Sequence, residues 1–489
     1  MTHARARVLR VFATRARGLA VGLAGLALAA PGAAADRPVA APPRASFTVV
    51  PPGPVGERAR VELRLAVRND SPRTRSYRVA FYLDRFEVGR RIAECTVEAA
   101  AGEWALTRAW WPAAGHAGRR LLRYRVEGEG AVRSGAERIE VLRAGGAAPP
   151  LLAGAWIEPG AVLQTCRGKD AAETERNVRR SVDAMAALGM RTLIVAYVEA
   201  WGTFYFPSSV EFHDAEAKKM SRGRDCPFDV IGTLLSQADR HDMRVMLGVG
   251  RSGDTNLLWE FDKPGWAARN AAALAIARRV VGDLWSLYGR HRSFYGWYST
   301  HEMNDLARSS AYLDPLADFC HALSPDRPFL AAPAGTPIIT REGLAASKVD
   351  IFAYQDAVGT GYVPHVYTWQ PERRIAMLDT LFREYADLHR GSGKHLWADL
   401  EVWEMDGKSG YSSAYPAAFS RVRRQIAIES RYAEALTAYA WHGYLQAPGG
   451  RGVSADPRAV RLYEAYREYV RSVRAGRAAQ RAQKAISSR

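Results

Sequence analysis

The sequence of 489 residues contains little cysteine, and its four cysteines lie far apart, at Cys95, Cys166, Cys226 and Cys320. No two of them form a CxxC pair, which excludes a disulfide-dense scaffold, a cysteine-based zinc site and a thioredoxin-type redox centre. Charged residues make up 24% of the chain and hydrophobic residues 48%. That balance excludes a disordered or collagen-like protein and is typical of a globular chain.

The sequence also lacks an apolar run long enough to span a bilayer as a helix, which takes roughly 20 residues. Its one candidate, residues 19–30, is too short and has the flanks of a signal peptide. Five arginines and no acid precede it, and Ala33, Ala34 and Ala35 follow it. We therefore expect cleavage near Ala35, which removes residues 1–35. The mature chain would then begin near Asp36, without a transmembrane segment, in a periplasmic or secreted location.

Acidic residues are fewer than basic ones, 51 against 68, which gives a formal charge of +17. A nucleic-acid partner does not follow, because much of this charge lies at the two ends of the chain. The expected signal peptide holds five arginines, and residues 471–489 hold six Lys or Arg residues and no acid. The part between them is only weakly basic. The basic tail is either a solvated helical extension or a contact for an anionic polymer or an envelope surface.

Residues 36–45 are rich in Pro and Ala and are expected to form a linker. In the region that follows, 46–143, polarity changes at every second position within short segments, at 60–69, 76–84, 90–99 and 119–128. This alternation predicts strands with one face in a core and the other in water. The spacing indicates a small β-sandwich, and it resembles the immunoglobulin-like modules often attached to secreted bacterial enzymes.

A second linker, residues 144–150, precedes a different rhythm, in which short apolar runs alternate with amphipathic helical stretches. Eight such runs occur, at 154–159, 192–199, 244–250, 294–302, 329–334, 351–356, 395–403 and 435–444. Eight strand-helix repeats predict an α/β fold, a (β/α)8 TIM barrel over residues 151–470. An open doubly wound sheet is the alternative, but no GxGxxG motif follows the first strand. In the barrel, Cys166 and Cys226 fall in loops on one face, either bridged or free, and Cys320 is expected to be a buried thiol.

Polar and aromatic residues close most of the eight runs, at the end of the barrel where active sites form. In the seventh run, four aliphatic residues alternate with Trp397, Asp399, Glu401 and Trp403. If the aliphatic set faces the helices, Glu401 projects inward near the mouth of the barrel. In the fourth run, the less bulky alternate set is expected to face inward, with Glu302 at its upper end; this set is Gly296, Tyr298, Thr300 and Glu302. Like charges grouped in this way cost free energy unless each is paired or solvated, so stability alone does not explain them.

Glutamates at the ends of the fourth and seventh strands of an eightfold barrel resemble the arrangement in the large clan of retaining TIM-barrel glycoside hydrolases, clan A. More narrowly, the chain resembles a bacterial family of exported, glycosidase-like barrels catalogued as domain of unknown function 4434. The segments that carry this similarity are GAWIEP, FYGWYSTHEMND, IFAYQDAVG and WADLEVWE. It covers about residues 151–450, and it implies that Glu302 is the acid/base and Glu401 the nucleophile, with retention of anomeric configuration.

Under this resemblance, Glu302 is kept protonated by burial near Tyr298, and Glu401 stays ionised. The sequence departs from the clan directly before Glu302, where His301 replaces the usual Asn. Either His301 or Asn304 then holds the sugar 2-hydroxyl, or the substrate differs at this position. The other residues expected to bind substrate are Glu158, Glu199, Trp201, Arg251, Tyr354, Gln355, Asp356, Trp403 and Trp441. No cofactor is expected and no metal either, because Asp305 stands where an HExxH motif needs its second His.

Several of these acids also have a structural interpretation. Glu302 can pair with Arg251, and either Glu401 or Glu404 can pair with Arg308. Asp399 can be a buried structural acid. Three functions therefore remain. The first is an exported glycoside hydrolase that cleaves a bacterial polysaccharide or envelope glycan. The second is a catalytically inactive barrel that binds glycan, and the third is a scaffold component of an envelope assembly. The acids and aromatics at the strand ends favour the first.

Overall fold

The computed structural model describes residues 42–487, except 144, 166–170, 201, 211–227, 251–255, 365–368, 406–413 and 450–455. The expected signal peptide, most of the first linker, Cys166 and Cys226 therefore lie outside the described residues. Cys320 is buried and free, as predicted, and burial raises the pKa of its thiol.

An N-terminal β-sandwich precedes the barrel. Its strands are β1 (Arg44–Val50), β2 (Val55–Gly56), β3 (Arg60–Arg68), β4 (Arg75–Leu83), β5 (Arg91–Ala99), β6 (Trp104–Pro112), β7 (Gly118–Gly128) and β8 (Ala131–Leu142), with a 3₁₀ turn at Val88–Arg90. One sheet has the order β1-β3-β6 and the other β2-β8-β7-β4-β5. Apolar side chains from both sheets, such as Leu63 and Phe81, share one core. The alternating pattern predicted four of these strands, and β1 begins inside the segment predicted as a linker.

Eight parallel strands then close into a barrel, and each begins within one residue of a predicted run. The strands of this region are β9 (Gly154–Ile157), β10 (Thr192–Val195), β11 (Glu199–Ala200), β12 (Thr203–Phe204), β13 (Arg244–Val249), β14 (Phe294–Ser299), β15 (Met303–Asp305), β16 (Phe329–Ala331), β17 (Pro333–Ile338), β18 (Ile351–Gln355), β19 (His395–Glu401), β20 (Trp403–Glu404), β21 (Tyr415–Pro416) and β22 (Ala435–Tyr439). The barrel order is β9-β10-β13-β14-β16-β18-β19-β22, and β22 pairs with β9 to close it. The remaining strands form short pairs in the loops.

Helices connect the barrel strands, as the amphipathic stretches predict. They are α1 (Pro159–Thr165), α2 (Ala171–Ala187), α3 (Val230–Arg240), α4 (Trp266–Tyr288), α5 (Leu306–Leu323), α6 (Arg341–Ala346), α7 (Pro371–His389), α8 (Phe419–Glu429) and α9 (Pro457–Ser487). Asp229 and Asp305 cap α3 and α5 by accepting hydrogen bonds from backbone N–H groups. Helix α9 continues through residue 470 into the predicted tail. No helix in the described part of the chain is long and apolar enough to cross a membrane.

The sandwich packs against the end of the barrel where the strands begin. Arg64 of β3 pairs with Asp350, just before β18, at 2.9 Å. Glu62 accepts a hydrogen bond from His395, the first residue of β19, at 2.9 Å. Tyr295, near the start of β14, donates one to the carbonyl oxygen of Val49. The sandwich therefore covers the amino-terminal face of the barrel, opposite the face where active sites form.

One prediction about the sandwich is wrong in detail. The alternation in β3 predicts a polar face in water, but Glu62 is 1% exposed and Arg64 is fully buried. The barrel covers this face, and the ion pairs across the contact compensate the loss of hydration. A pattern within one strand cannot show that a second part of the chain covers its polar side.

Candidate active site

A cleft of about 780 Å³ opens at the carboxyl ends of the barrel strands. This volume lies in the range of roughly 300–1,000 Å³ that is usual for small-molecule sites. Two of its lining residues are the predicted catalytic pair, Glu302 after β14 and Glu401 at the end of β19. Four more belong to the predicted substrate-binding set, namely Glu158, Asn304, Gln355 and Trp403.

Glu401 is held in place by the loop that follows β18. Its Oε2 accepts a hydrogen bond from the backbone N–H of Thr360 at 2.9 Å. This close approach needs Gly359, where an added Cβ would lie 3.0 Å from that oxygen and 2.3 Å from the carbonyl oxygen of Trp403. Below the cleft, the Arg421 side chain donates to the carbonyl oxygens of Glu401 and Trp403. These contacts position the carboxyl group of Glu401.

A second acid, Asp356, lies directly beneath Glu401 and is fully buried. Its carboxyl group accepts hydrogen bonds from the backbone N–H groups of Val358 (3.1 Å) and Glu401 (3.2 Å) and from the Gln425 side chain. Burial raises the pKa of Asp356, but these hydrogen bonds favour its ionised form. Glu429 is also fully buried nearby, and burial raises its pKa strongly. The hydrogen bonds to Asp356 offset part of the effect of burial on its pKa, whereas the charge of Asp356 adds to the effect of burial on the pKa of Glu429.

Burial and the charge of Asp356 together raise the pKa of Glu401 to about 8. Glu401 is only 6% exposed, whereas Glu302 is an exposed residue. The environments of the two glutamates are therefore opposite to the prediction, which placed Glu302 in a buried site and left Glu401 ionised. The reason is geometric: Glu302 follows the end of β14 and reaches solvent, whereas Glu401 is the last residue of β19 and lies under the loop at Gly359.

Asp399 lies deeper in the same cleft, two residues before Glu401 on the inward face of β19. It is 2% exposed. Burial raises its pKa well above the usual value, and the charges of Asp356, Glu401 and Glu302 act in the same direction. The carboxyl group of Asp399 therefore holds its proton more tightly than an ordinary aspartic acid does. Its inward direction agrees with the alternation along this strand.

Glu158, which follows β9, lines the cleft where the first and eighth strands meet. The Tyr439 hydroxyl, at the end of β22, donates a hydrogen bond to the Glu158 carboxylate. Because β22 and β9 are neighbours at the closure of the barrel, this contact joins the loops of the eighth and first strands.

Three predicted substrate-binding residues face away from the cleft. The Tyr354 ring stacks on Tyr385 of α7 at 4.0 Å, because successive residues of β18 point alternately inward and toward the helices. His301 is 1% exposed and packs edge-on against Tyr312 of α5. Trp441 is 1% exposed and packs against α9. Of the two residues proposed to replace the usual Asn, the structure brings Asn304 to the cleft.

Two predicted acids lie outside the cleft lining, and two other predicted residues are not described. Asp356 supports Glu401 from below and does not line the cleft. Glu199 is 4% exposed, and its side chain accepts a hydrogen bond from the backbone N–H of Gly202, so it orders its own loop. Trp201 and Arg251 lie outside the described residues.

The sequence analysis missed several lining residues that come from loops. Trp259, Phe261, Ile338, Thr360 and Tyr362 line the cleft. None of them lies at the end of one of the eight apolar runs, and the site residues were predicted from those ends alone. Arg308 lines the cleft too, and it pairs with Asp262 rather than with Glu401. Within the described residues, no group of three or more His, Cys, Asp or Glu side chains has the geometry of a metal site.

Comparisons with solved structures return glycoside hydrolases. A candidate α-L-fucosidase from Bacteroides thetaiotaomicron is 17% identical, with a TM-score of 0.46 over 66% of this chain and 93% of that chain. An endo-β-1,4-mannanase from Thermotoga petrophila is 10% identical, with a TM-score of 0.45 over 65% and 77%. A β-glucuronidase from Bacteroides uniformis is 12% identical, with a TM-score of 0.35 over 81% of this chain, which spans only 45% of that enzyme. These similarities assign no activity to this chain.

No curated protein matches the chain. A family model described as a domain of unknown function, DUF4434, matches residues 152–451, which is more than half of the chain and contains the barrel and its cleft. The chain therefore belongs to the DUF4434 family.

Proposed function

We propose that this chain hydrolyses glycosidic bonds in a polysaccharide, with Glu302 and Glu401 as the reacting carboxyl groups and with retention of anomeric configuration. One observation carries the proposal: Glu302 and Glu401 line the same cleft from the fourth and seventh barrel strands, and one is exposed while the other is buried. Hydrolysis of a glycoside needs two carboxyl groups across the scissile bond, one protonated and one ionised.

In the free protein at neutral pH, burial keeps a proton on Glu401. The clan resemblance requires this proton on Glu302 when the bond breaks. A sugar bound over Glu302 removes water from that carboxylate and raises its affinity for a proton. We propose that substrate binding moves the proton of the pair from Glu401 to Glu302.

Glu302 gives its proton to the glycosidic oxygen, and the Glu401 carboxylate attacks the anomeric carbon, so the leaving sugar departs as an alcohol. Glu302, now ionised, takes a proton from a water molecule, which attacks the anomeric carbon and releases Glu401. The hydrogen bond from the Thr360 N–H fixes the carboxyl group of Glu401 for this attack.

The test is hydrolysis of a panel of neutral and acidic bacterial polysaccharides by the mature protein, Glu302→Gln and Glu401→Gln, with Glu372→Gln as a control. The Glu372 side chain is 72% exposed on α7, away from the cleft. We expect each cleft variant to lose at least about 100-fold in rate, and the control to match wild type. Circular dichroism checks folding. If wild type and the variants all bind a glycan and none of them cleaves it, the glycan-binding alternative replaces this proposal.

Aryl glycosides with a good leaving group separate the two roles, because such a group departs without a proton donor. On a dinitrophenyl glycoside, Glu302→Gln is expected to keep much of its kcat/KM, which reports the first step, and to show a burst of dinitrophenol followed by a low kcat, because the second step needs Glu302 as the base. Glu401→Gln is expected to lose both kcat and kcat/KM. The reverse result would exchange the roles of the two residues. The configuration of the first product, followed by NMR, tests retention.

We also propose that the mature chain acts outside the cytoplasm, on the support of the arginine-rich, apolar and alanine-rich segments within residues 1–35. Amino-terminal sequencing of the protein from periplasmic and culture fractions tests this. We expect a chain that starts near Asp36, and an uncleaved chain found only in the cytoplasm would contradict the proposal.

A further inference from the structure

An apolar patch lies exposed on one wall of the cleft. Trp259 is 40% exposed, Tyr362 is 43% exposed and Ile338 is 66% exposed, and all three line the cleft. The described residues contain only seven large apolar side chains with such exposure, so nearly half of them lie at this one site. Exposed apolar groups that cluster in a concave site mark a binding surface rather than ordinary surface composition.

Buried neighbours hold these side chains in place. Leu257 and Leu258, next to Trp259, are fully buried, and the Trp266 side chain donates a hydrogen bond to the carbonyl oxygen of Leu257 at 2.7 Å. The backbone N–H of Tyr362 donates a hydrogen bond to the carbonyl oxygen of Ala357, and the next residue, Val363, is only 3% exposed. The loops are thus anchored in the core while the Trp259 and Tyr362 rings face solvent.

Gly335 brings the two rings together. A Cβ at Gly335 would lie 3.5 Å from the Tyr362 ring and 3.9 Å from the Trp259 ring, so both rings reach the same point of the chain. Gly335 adopts a φ of +69°, which favours glycine. Its carbonyl oxygen accepts a hydrogen bond from Arg374, a residue only 1% exposed that also donates to the carbonyl oxygen of Asp356. Arg374 therefore contacts both the backbone of the apolar wall and the backbone of Asp356, the acid beneath Glu401.

The barrel order and the contact at Gly335 together place this wall relative to the carboxyl pair. Trp259 follows the third strand, Ile338 ends the short strand after the fifth, and Tyr362 follows the sixth. Glu302 and Glu401 come from the fourth and seventh strands. Strands five and six lie between strands four and seven, so Ile338 and Tyr362 lie on one side of the carboxyl pair, and Glu158 with Tyr439, from the first and eighth strands, lies on the other. Trp259, from the third strand, joins the first group because its ring reaches Gly335 beside the Tyr362 ring.

We propose that Trp259, Ile338 and Tyr362 form a platform that binds a pyranose ring of a polymeric substrate beside the bond that is cleaved, so that the enzyme cuts within chains. This inference rests on the proposed function. The C–H face of a pyranose ring is apolar and flat enough to cover an aromatic ring, and its hydroxyl groups remain at the edge. A ring on the platform is additional to the rings on either side of the scissile bond, which makes a longer glycan the preferred substrate.

The experiment compares Trp259→Ala/Tyr362→Ala with wild type and with Phe86→Ala. Phe86 is a matched control, because it is 41% exposed but lies in the sandwich. Binding is measured first, by electrophoresis through gels that contain each soluble polysaccharide of the panel, with all proteins in the Glu302→Gln background. We expect the double variant to bind a retained polysaccharide about tenfold more weakly, and the control to bind it like the parent.

Kinetics give the second measurement. The loss of kcat/KM caused by the double variant is expected to be about tenfold larger on the polysaccharide than on an aryl monosaccharide, and Tyr362→Phe in place of Tyr362→Ala should restore part of it. Viscometry of a digested polysaccharide should show an early fall, since internal cuts shorten chains fastest.

The outcomes separate the two proposals. If no protein cleaves anything but the double variant loses binding, the platform stands and hydrolysis fails. If wild type cleaves but the double variant binds and cleaves the polysaccharide like wild type, the platform is overturned and hydrolysis stands. Absence of polysaccharide binding by the parent protein, or release of single sugars only, also overturns the platform.

Discussion

The backbone N–H of Glu401 donates a hydrogen bond to the carboxyl group of Asp356 at 3.2 Å. One acid therefore holds the strand end that presents another acid to the cleft. Burial raises the pKa of Glu401, and the nearby Asp356 raises it further, because a negative charge there opposes ionisation of its neighbour. Positioning and proton affinity at Glu401 thus depend on a residue that does not line the cleft.

Asp356→Asn is expected to lower the pKa of Glu401 toward that of an ordinary glutamate, since the variant removes the nearby charge. The limb of the pH–rate profile that reports Glu401 should move to lower pH. The midpoint of that limb is the measurement, because the rate itself also falls when the support of Glu401 changes. Asp387→Asn, at a side chain 55% exposed on α7, is the control. An unmoved midpoint in Asp356→Asn would show that burial alone sets the pKa of Glu401.

Glu401→Gln is expected to change how stability depends on pH. The pKa of Glu401 is about 8 in the folded protein, above its value in the unfolded chain, so the folded protein binds the extra proton between pH 4.5 and 8. Wild type should therefore lose free energy of unfolding relative to Glu401→Gln as pH rises through this window. Urea denaturation at pH 5 and pH 8 measures the difference. A difference that stays constant between these pH values would contradict the raised pKa.

The buried contact between the sandwich and the barrel should be sensitive to loss of one partner. Arg64 and Asp350 pair at 2.9 Å with side chains that are 0% and 3% exposed. Arg64→Met leaves Asp350 buried with less compensation, so we expect it to lower the free energy of unfolding by about 3–5 kcal/mol. The matched control is Arg424→Met, because Arg424 pairs with Glu372 at 2.8 Å on the surface. Arg424→Met should lower the free energy of unfolding, measured by urea denaturation, by about 1 kcal/mol or less. Equal losses in Arg64→Met and Arg424→Met would refute the role of burial.

His395 makes the same contact depend on pH. Burial acts to lower its pKa, but the carboxylates of Glu434 and Glu62 outweigh it and raise the pKa to about 9. Because this value exceeds that of the unfolded chain, the charged form stabilises the fold fully below about pH 6.5, and the stabilisation is lost as pH rises through 9. We expect wild type to lose more free energy of unfolding than His395→Gln between pH 6.5 and 9. Equal losses would mean that His395 is neutral in the folded protein.

The sequence predicted the barrel well, because its signal is local. Each of the eight strands is a short apolar run followed by an amphipathic helical stretch, and the alternation within 395–403 directed Asp399 and Glu401 inward. Six of the eleven described members of the predicted site lie in the cleft. Tyr354, His301 and Trp441 do not, since one position along a strand or loop decides whether a side chain meets the cleft or the helices.

By itself, then, the sequence determined the order of the elements, the end of the barrel that carries the acids, and the presence of Glu302 and Glu401 at that end. Only the tertiary structure decided how deep each acid lies, because burial depends on loops that return from elsewhere, such as Gly359 over Glu401. It also decided that Trp259 and Tyr362 meet at Gly335, and that the polar face of β3 lies against the barrel. Contacts between distant parts of a chain leave no local pattern in its sequence, and these contacts set the proton affinities and the shape of the cleft.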